Sequence, residues 1–242
     1  MDSVVKQDFM LKAKEFQLSE FSNIAEFLSG NAIMRLFHYT HISNLESILI
    51  NGLRTRDYLD ANEVGYQATD PNRLDKFTES ISFSMGEPNR LLLPHKNFTF
   101  GHQLILLEVS ANLLLTQNFA AFPTNVASGL FQSEILSNPD RYLGIRGLEG
   151  IFLNKQLRNE AKLSIDVPTD SQSEILFFDS IPSSLIKQIH ISPNYPADSR
   201  SIVDSINSRT RSPKFENPCQ CGLFKRWDGV FRRYDIEWEE NG

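Results

Sequence analysis

Leu36-Phe37-His38-Tyr39-Thr40-His41 closes an apolar run of strand length that begins at Ala32, and its reading decides the fold. Strand alternation puts Leu36, His38 and Thr40 on one face and Phe37 and Tyr39 on the other, so an imidazole and a hydroxyl meet near the strand's end. A neutral imidazole offers one donor and one acceptor, which suits a ribose or an amide. Alone, such a histidine reads more readily as structural. The next residues, Ser43-Asn44-Leu45-Glu46, have the spacing of a capping box and predict a helix start. Asn51-Gly52 is its stop, and His41 sits at its entrance.

Working outward, residues 4–16 and 20–28 carry apolar side chains at helical spacing: Val5, Phe9, Leu11 and Phe16 in the first, Phe21, Ile24, Phe27 and Leu28 in the second. Two N-terminal helices follow from that, with Gly30 as a stop. Downstream, residues 80–84, 103–109, 174–178 and 186–191 read as strands separated by irregular connections and short helices. This order predicts an α+β fold with mostly antiparallel strands rather than a βαβ repeat. Between Arg54 and Glu79 the chain turns polar and loses periodicity, the mark of a long functional or disordered loop.

The 242 residues are 40% hydrophobic and 22% charged, which suits one globular domain. Cys219 and Cys221 are too few for a disulfide framework or a zinc site, and a reduced cytoplasmic compartment is the expectation. The sequence has no run of eighteen apolar residues and no signal-peptide pattern, so no membrane association is expected. A net charge of −6 argues against non-specific coating of nucleic acid. Local charge differs. From Asn207 to Arg233 seven basic residues (Arg209, Arg211, Lys214, Lys225, Arg226, Arg232, Arg233) face two acidic ones, interleaved with Phe215, Phe224, Trp227 and Phe231. Cations for phosphates and aromatic faces for bases are what a single-strand groove needs. A solvated surface with its aromatics packed inward fits the same residues.

Three further segments bear on chemistry. Asn72-Arg73-Leu74-Asp75, ahead of Ser80-Ile81-Ser82-Phe83-Ser84 and Pro88-Asn89, puts a guanidinium beside a hydroxyl-bearing strand, where it could bind pyrophosphate. Phe122-Pro123-Thr124-Asn125-Val126-Ala127-Ser128 carries nothing diagnostic. Pro168-Thr169-Asp170-Ser171-Gln172-Ser173-Glu174 sets a carboxylate at the mouth of an apolar strand. Gln-Ser-Glu-Ile-Leu also occurs at 132–136, so the pentapeptide is not specific; Glu134 reads as a surface residue on a helical turn. Walker A, Gly-x-Gly-x-x-Gly, His-Glu-x-x-His and Gly-x-Ser-x-Gly patterns are missing, which removes the usual grounds for NTPase, Rossmann, zincin and α/β-hydrolase readings.

Taken in order, these segments resemble the DarT family of ADP-ribosyltransferase toxins over residues 37–191. The match runs through His38-Tyr39-Thr40-His41-Ile42 with Asn44-Leu45 and Gly52-Leu53, then Arg73-Leu74-Asp75, Ser80 to Phe83 with Pro88-Asn89, Thr124-Asn125 with Ala127-Ser128, and Pro168-Thr169-Asp170 with Gln172 and Glu174. The resemblance implies an ADP-ribosyltransferase fold: two small, mostly antiparallel sheets around an NAD+ cleft. Carried over by position, His38, Thr40, Ser82 and Asn44 bind NAD+, Arg73 is the catalytic arginine and Glu174 the catalytic glutamate. It further implies transfer of ADP-ribose from NAD+ to a base in single-stranded DNA, with nicotinamide released and no metal required, in a toxin–antitoxin or phage-defence setting with a macrodomain antitoxin as partner. The expected organisation is a helical extension over 1–31, a catalytic core over 32–195, and a basic, aromatic segment over 196–242 packed on the same domain. Within that segment Arg209, Arg211, Lys225, Arg226, Trp227, Arg232 and Arg233 are the candidate nucleic-acid contacts. Nothing in the NAD+ motifs fixes the acceptor, so RNA or protein remains a second reading and a non-catalytic single-strand binding module a third.

Overall fold

The computed structural model describes residues 3–72, 76–89, 92–101, 103–127, 134–135, 137–191, 214–215, 219–220 and 232–237. Nine strands, β1 (Arg35–His41), β2 (Ile81–Met85), β3 (Leu104–Ser110), β4 (Phe119–Phe122), β5 (Glu174–Phe177), β6 (Ile186–Ile191), β7 (Lys214–Phe215), β8 (Cys219–Gln220) and β9 (Arg232–Glu237), join one sheet. Its order is β4-β5-β2-β1-β3-β6-β9-β7, with β8 paired to β9, and the ladders are antiparallel. The antiparallel α+β expectation holds, whereas the two separate small sheets do not. The reason is β2, which spends Ile81–Phe83 on β5 and Ser84–Met85 on β1 and so welds the two halves together.

Helices α1 (Ser3–Ser19) and α2 (Phe21–Gly30) stand where the apolar spacing put them. In α1 the inward face is Phe9, Ala13 and Gln17, while Leu11 is 59% exposed, so not every apolar residue of the predicted stripe faces the core. Shorter helices that follow among the described residues include α3 (Leu45–Asn51), α4 (Arg56–Ala61), α5 (Leu92–Thr99), α6 (Leu113–Thr116), α7 (Gly144–Ile151) and α8 (Lys155–Glu160). The capping box expected at Ser43 is not made. Ser43 is drawn to His41, whose Nδ1 accepts from its backbone N–H at 3.2 Å, and α3 begins one residue later with no side-chain cap.

Period-two alternation in β4 and β5 splits their side chains between two cores. Ile175, Phe177, Phe119 and Ala121 join Leu36, Phe83, Ile105, Leu107 and Val109 in the larger one. Leu176, Ala120 and Phe122 turn the other way, where Phe9 and Ala13 of α1 cover them together with Phe77 and Tyr142. Phe9 lies 6.0 Å from Phe77, 6.5 Å from Phe122 and 6.0 Å from Phe178 between ring centroids. Burying a phenylalanine contributes about 2–3 kcal/mol, so α1 is an integral part of the packing around β5.

Candidate active site

The cleft exists because the sheet divides. β1 stays paired with β3 from Arg35 to His41, but its ladder with β2 covers only Leu36↔Met85 and Phe37↔Ser84. Beyond that point β2 swings to β5, with Ser82 opposite Leu176 and Phe83 opposite Ile175. His38 stands at the fork. Its Nδ1 lies 2.8 Å from the Ser82 carbonyl, so a side chain takes over a backbone acceptor where the ladder stops. A carbonyl can only accept, so Nδ1 carries the proton of this bond.

The gap encloses about 300 Å³ and is lined by His38, Tyr39, Thr40, Asn44, Ser82, Asn125 and Glu174 among others. Five candidate residues, His38, Thr40, Asn44, Ser82 and Glu174, therefore share one cavity. Tyr39 joins them although alternation assigns it to the opposite face. Burial raises the Tyr39 hydroxyl above the ordinary tyrosine pKa, and the negative charges of Glu174 and Asp70 push it further the same way.

Glu174, first residue of β5, has both carboxylate oxygens held. Oε1 accepts from the Ser82 hydroxyl at 2.8 Å, and Oε2 accepts from the Val126 backbone N–H at 3.0 Å. The turn that presents Val126 is itself fixed, since Ala127 N–H donates to Asn125 Oδ1 at 2.8 Å. Residue types in Thr124-Asn125-Val126 gave no hint of this role, because the donor is a main-chain group that any residue supplies. Ahead of β5, Asp170 shapes the approach: its carbonyl accepts from Ser173 N–H and its Oδ1 from Gln172 N–H. Gly86, at φ +70°, lets the 164–170 loop close in; a Cβ there would stand 2.0 Å from the Asp166 carbonyl oxygen.

Asn44 ties the second wall. Its Nδ2 donates to Thr40 Oγ1 and to the Gln67 carbonyl, both at 2.9 Å, while its Oδ1 accepts from Gln67 N–H at 2.8 Å. The polar 54–79 stretch is thus partly helical, as α4, and its residues 64–70 line the cleft. Among the described residues three cations border the same space: Arg54, Arg56 and Lys96. Arg56 donates to the Asp70 carbonyl, and Lys96 lies 5.2 Å over the Tyr39 ring.

Glu134 is not among the residues that line the cleft and pairs with Arg141. Arg73 lies outside the described residues, as do Arg209, Arg211, Lys225, Arg226 and Trp227. Arg232 and Arg233 belong to β9, opposite Ile191 and His190 of β6. Among the described residues there is no group of three or more potential metal ligands and no helix long and apolar enough to cross a membrane.

A family model described as ssDNA thymidine ADP-ribosyltransferase, DarT, matches residues 37–216. Similar solved structures include Thermosipho africanus DarTG in complex with ADP-ribose, at 14% identity and TM-score 0.47, covering 74% of this chain and 47% of that one. The chain thus spans about half the length of that protein. Thermus sp. 2.9 DarT in complex with NAD+ is similar at 16% identity and TM-score 0.43, covering 72% of this chain and 89% of that one. The same Thermus protein with carba-NAD+ gives 16% identity, TM-score 0.42 and coverage of 72% and 87%. No curated protein sequence matches the chain.

Proposed function

From the premise that this chain belongs to the DarT family of ssDNA thymidine ADP-ribosyltransferases, we propose that it transfers ADP-ribose from NAD+ to a thymidine base in single-stranded DNA and releases nicotinamide. The observation that carries this reading is Glu174: a carboxylate with both oxygens hydrogen-bonded, on the wall of a cleft that His38 and Thr40 also line. Cleaving the bond between the ribose C1′ and nicotinamide builds positive charge on C1′, and a fixed carboxylate stabilises that charge as it develops. The base nitrogen then bonds to C1′ and gives up its proton, for which Glu174 is the acceptor in this reading. Arg73 orients the base. His38, Thr40, Ser82 and Asn44 hold NAD+, with Asn44 acting in part by keeping Gln67 in the wall.

Residues 32–195 are the catalytic core in this proposal, residues 1–31 a helical extension, and residues 196–242 the single-strand contact. A macrodomain protein that removes the modification is the proposed partner, in a toxin–antitoxin setting. Incubation with labelled NAD+ and separate pools of DNA, RNA and protein tests the assignment. Label on single-stranded DNA that is lost in Glu174→Ala supports it. Label on RNA or protein moves the acceptor, and tight oligonucleotide binding without label replaces the enzyme by a binding module.

A further inference from the structure

Arg54 lines the same cleft as Glu174, and nothing in the motif match gives it a role. Its backbone is fixed on both sides. Leu53 exchanges two hydrogen bonds with Ile181, at 2.8 and 2.9 Å, and Gly52, at φ +79°, makes that approach possible because a Cβ would meet the Ile181 carbonyl oxygen at 2.4 Å. Thr55, buried, caps α4 by accepting from Tyr58 N–H at 3.3 Å. The guanidinium lies 4.9 Å over the ring of Tyr58, in the first turn of that helix. A long cationic side chain has therefore been given a rigid root and a flat support, and the ordering cost of binding an anion is already met.

Its Nε is buried, and among the described residues it has no hydrogen-bond acceptor. The neighbouring cations differ, since Arg56 donates to the Asp70 carbonyl and Lys96 faces the Tyr39 ring. A buried guanidinium N–H calls for an acceptor, and the planar fork matches the paired oxygens of a carboxylate or a phosphate. A dinucleotide whose reacting ribose sits against Glu174 has to lay its two charged phosphates elsewhere in the same cavity. We propose that Arg54 is the anion-binding residue for the pyrophosphate of NAD+, an inference that rests on the NAD+ reading of this cleft.

The test compares wild type, Arg54→Met and Arg54→Lys by calorimetry with NAD+ and ADP-ribose, by competition with the phosphate-free nicotinamide riboside, and by KM for an oligonucleotide acceptor. Methionine keeps the apolar stem over Tyr58 and removes the charge. The expected result is a weakening of NAD+ and ADP-ribose binding by about 10- to 100-fold, the range for a lost charge-assisted hydrogen bond. Nicotinamide riboside stays within about twofold of wild type on the same reasoning, because it offers no phosphate. Lysine, a point charge without the fork, recovers part of the loss. Unchanged NAD+ affinity overturns the proposal, as does an equal loss for nicotinamide riboside. A raised KM for the oligonucleotide at unchanged NAD+ affinity also overturns it, by assigning Arg54 to a DNA phosphate. If Arg54→Met does not fold, Arg54→Lys decides: affinity for NAD+ equal to wild type overturns the fork, and a selective loss for phosphate-bearing ligands supports it. Failure of wild type itself to bind NAD+ removes the underlying functional reading, a result distinct from any effect of the variants.

Discussion

Ser82 and Glu174, 92 residues apart in sequence, meet through a 2.8 Å hydrogen bond from the serine hydroxyl to the carboxylate. Ser82 is paired with Leu176 across the β2–β5 seam, and the bond runs diagonally from it to the residue two places before Leu176, so strand register and site geometry are one constraint.

Glu174→Gln removes the charge while keeping the shape, and transfer to DNA falls by about 10²- to 10⁴-fold, the range for a lost acid–base or electrostatic group. Glu134→Gln, made in the second copy of the pentapeptide, leaves the rate unchanged. Assay of both with labelled NAD+ decides the assignment; equal rates would transfer the role to another residue.

Ser82→Ala removes the hydroxyl that donates to Oε1 of Glu174. One hydrogen bond to a charged group is worth about 1.5–3 kcal/mol, so kcat drops by roughly 10- to 100-fold. Ser82→Thr, which retains a hydroxyl, keeps more of the activity than alanine. A Ser82→Ala variant as active as wild type would show that the serine hydroxyl is not needed to hold the carboxylate.

Gly86→Ala places a Cβ against the Asp166 carbonyl oxygen at positive φ. A residue forced into an incompatible backbone destabilises by more than about 1 kcal/mol. The urea midpoint falls accordingly, and transfer falls with it because the loop that leads to Glu174 is displaced. An unshifted midpoint would mean that this loop yields freely.

Burial holds the His41 imidazole below the usual histidine pKa, with the hydrogen bond to Gln103 working against it. Below about pH 6.5, the ordinary histidine value, the unfolded chain takes up a proton that the folded chain resists. Stability tied to this residue is therefore present above that pH and lost as pH falls through the lower folded value. Protonation also removes the Nδ1 acceptor of Ser43 N–H. The urea midpoint of wild type drops more between pH 8 and pH 5.5 than that of His41→Asn. Parallel pH profiles for the two proteins would exclude His41 as the source.

Replacing Arg232 and Arg233 together with glutamine weakens oligonucleotide binding and makes the logarithmic salt slope shallower by up to about two, near one unit per lost phosphate contact. Filter binding across a salt series reads both. Identical slopes would leave β9 as a structural edge.

Five strands were legible in the sequence because β1, β2, β3, β5 and β6 are apolar runs bounded by polar or turn-forming residues. β4 was not, since Phe-Ala-Ala-Phe is only four residues long and, being apolar throughout, shows no period-two alternation. The shared cavity of His38, Thr40, Asn44, Ser82 and Glu174 was legible through motif order. The Val126 N–H was invisible because a backbone donor leaves no residue signature. Arg54 was hidden for another reason: it lies in a stretch whose lack of periodicity conceals the Leu53–Ile181 bridge that orders it.

The seam between β2 and β5 also sets a clock on synthesis. A ribosome that has just added Ser82 must add 92 more residues before Glu174 exists, roughly 5 to 20 seconds at ordinary elongation speeds. Throughout that interval β2 has no strand on its β5 side and the growing polypeptide carries no carboxylate at the fork. If Glu174 is the catalytic carboxylate proposed above, a truncated product ending anywhere before β5 transfers no ADP-ribose, and competence arrives only once the late strands have been made.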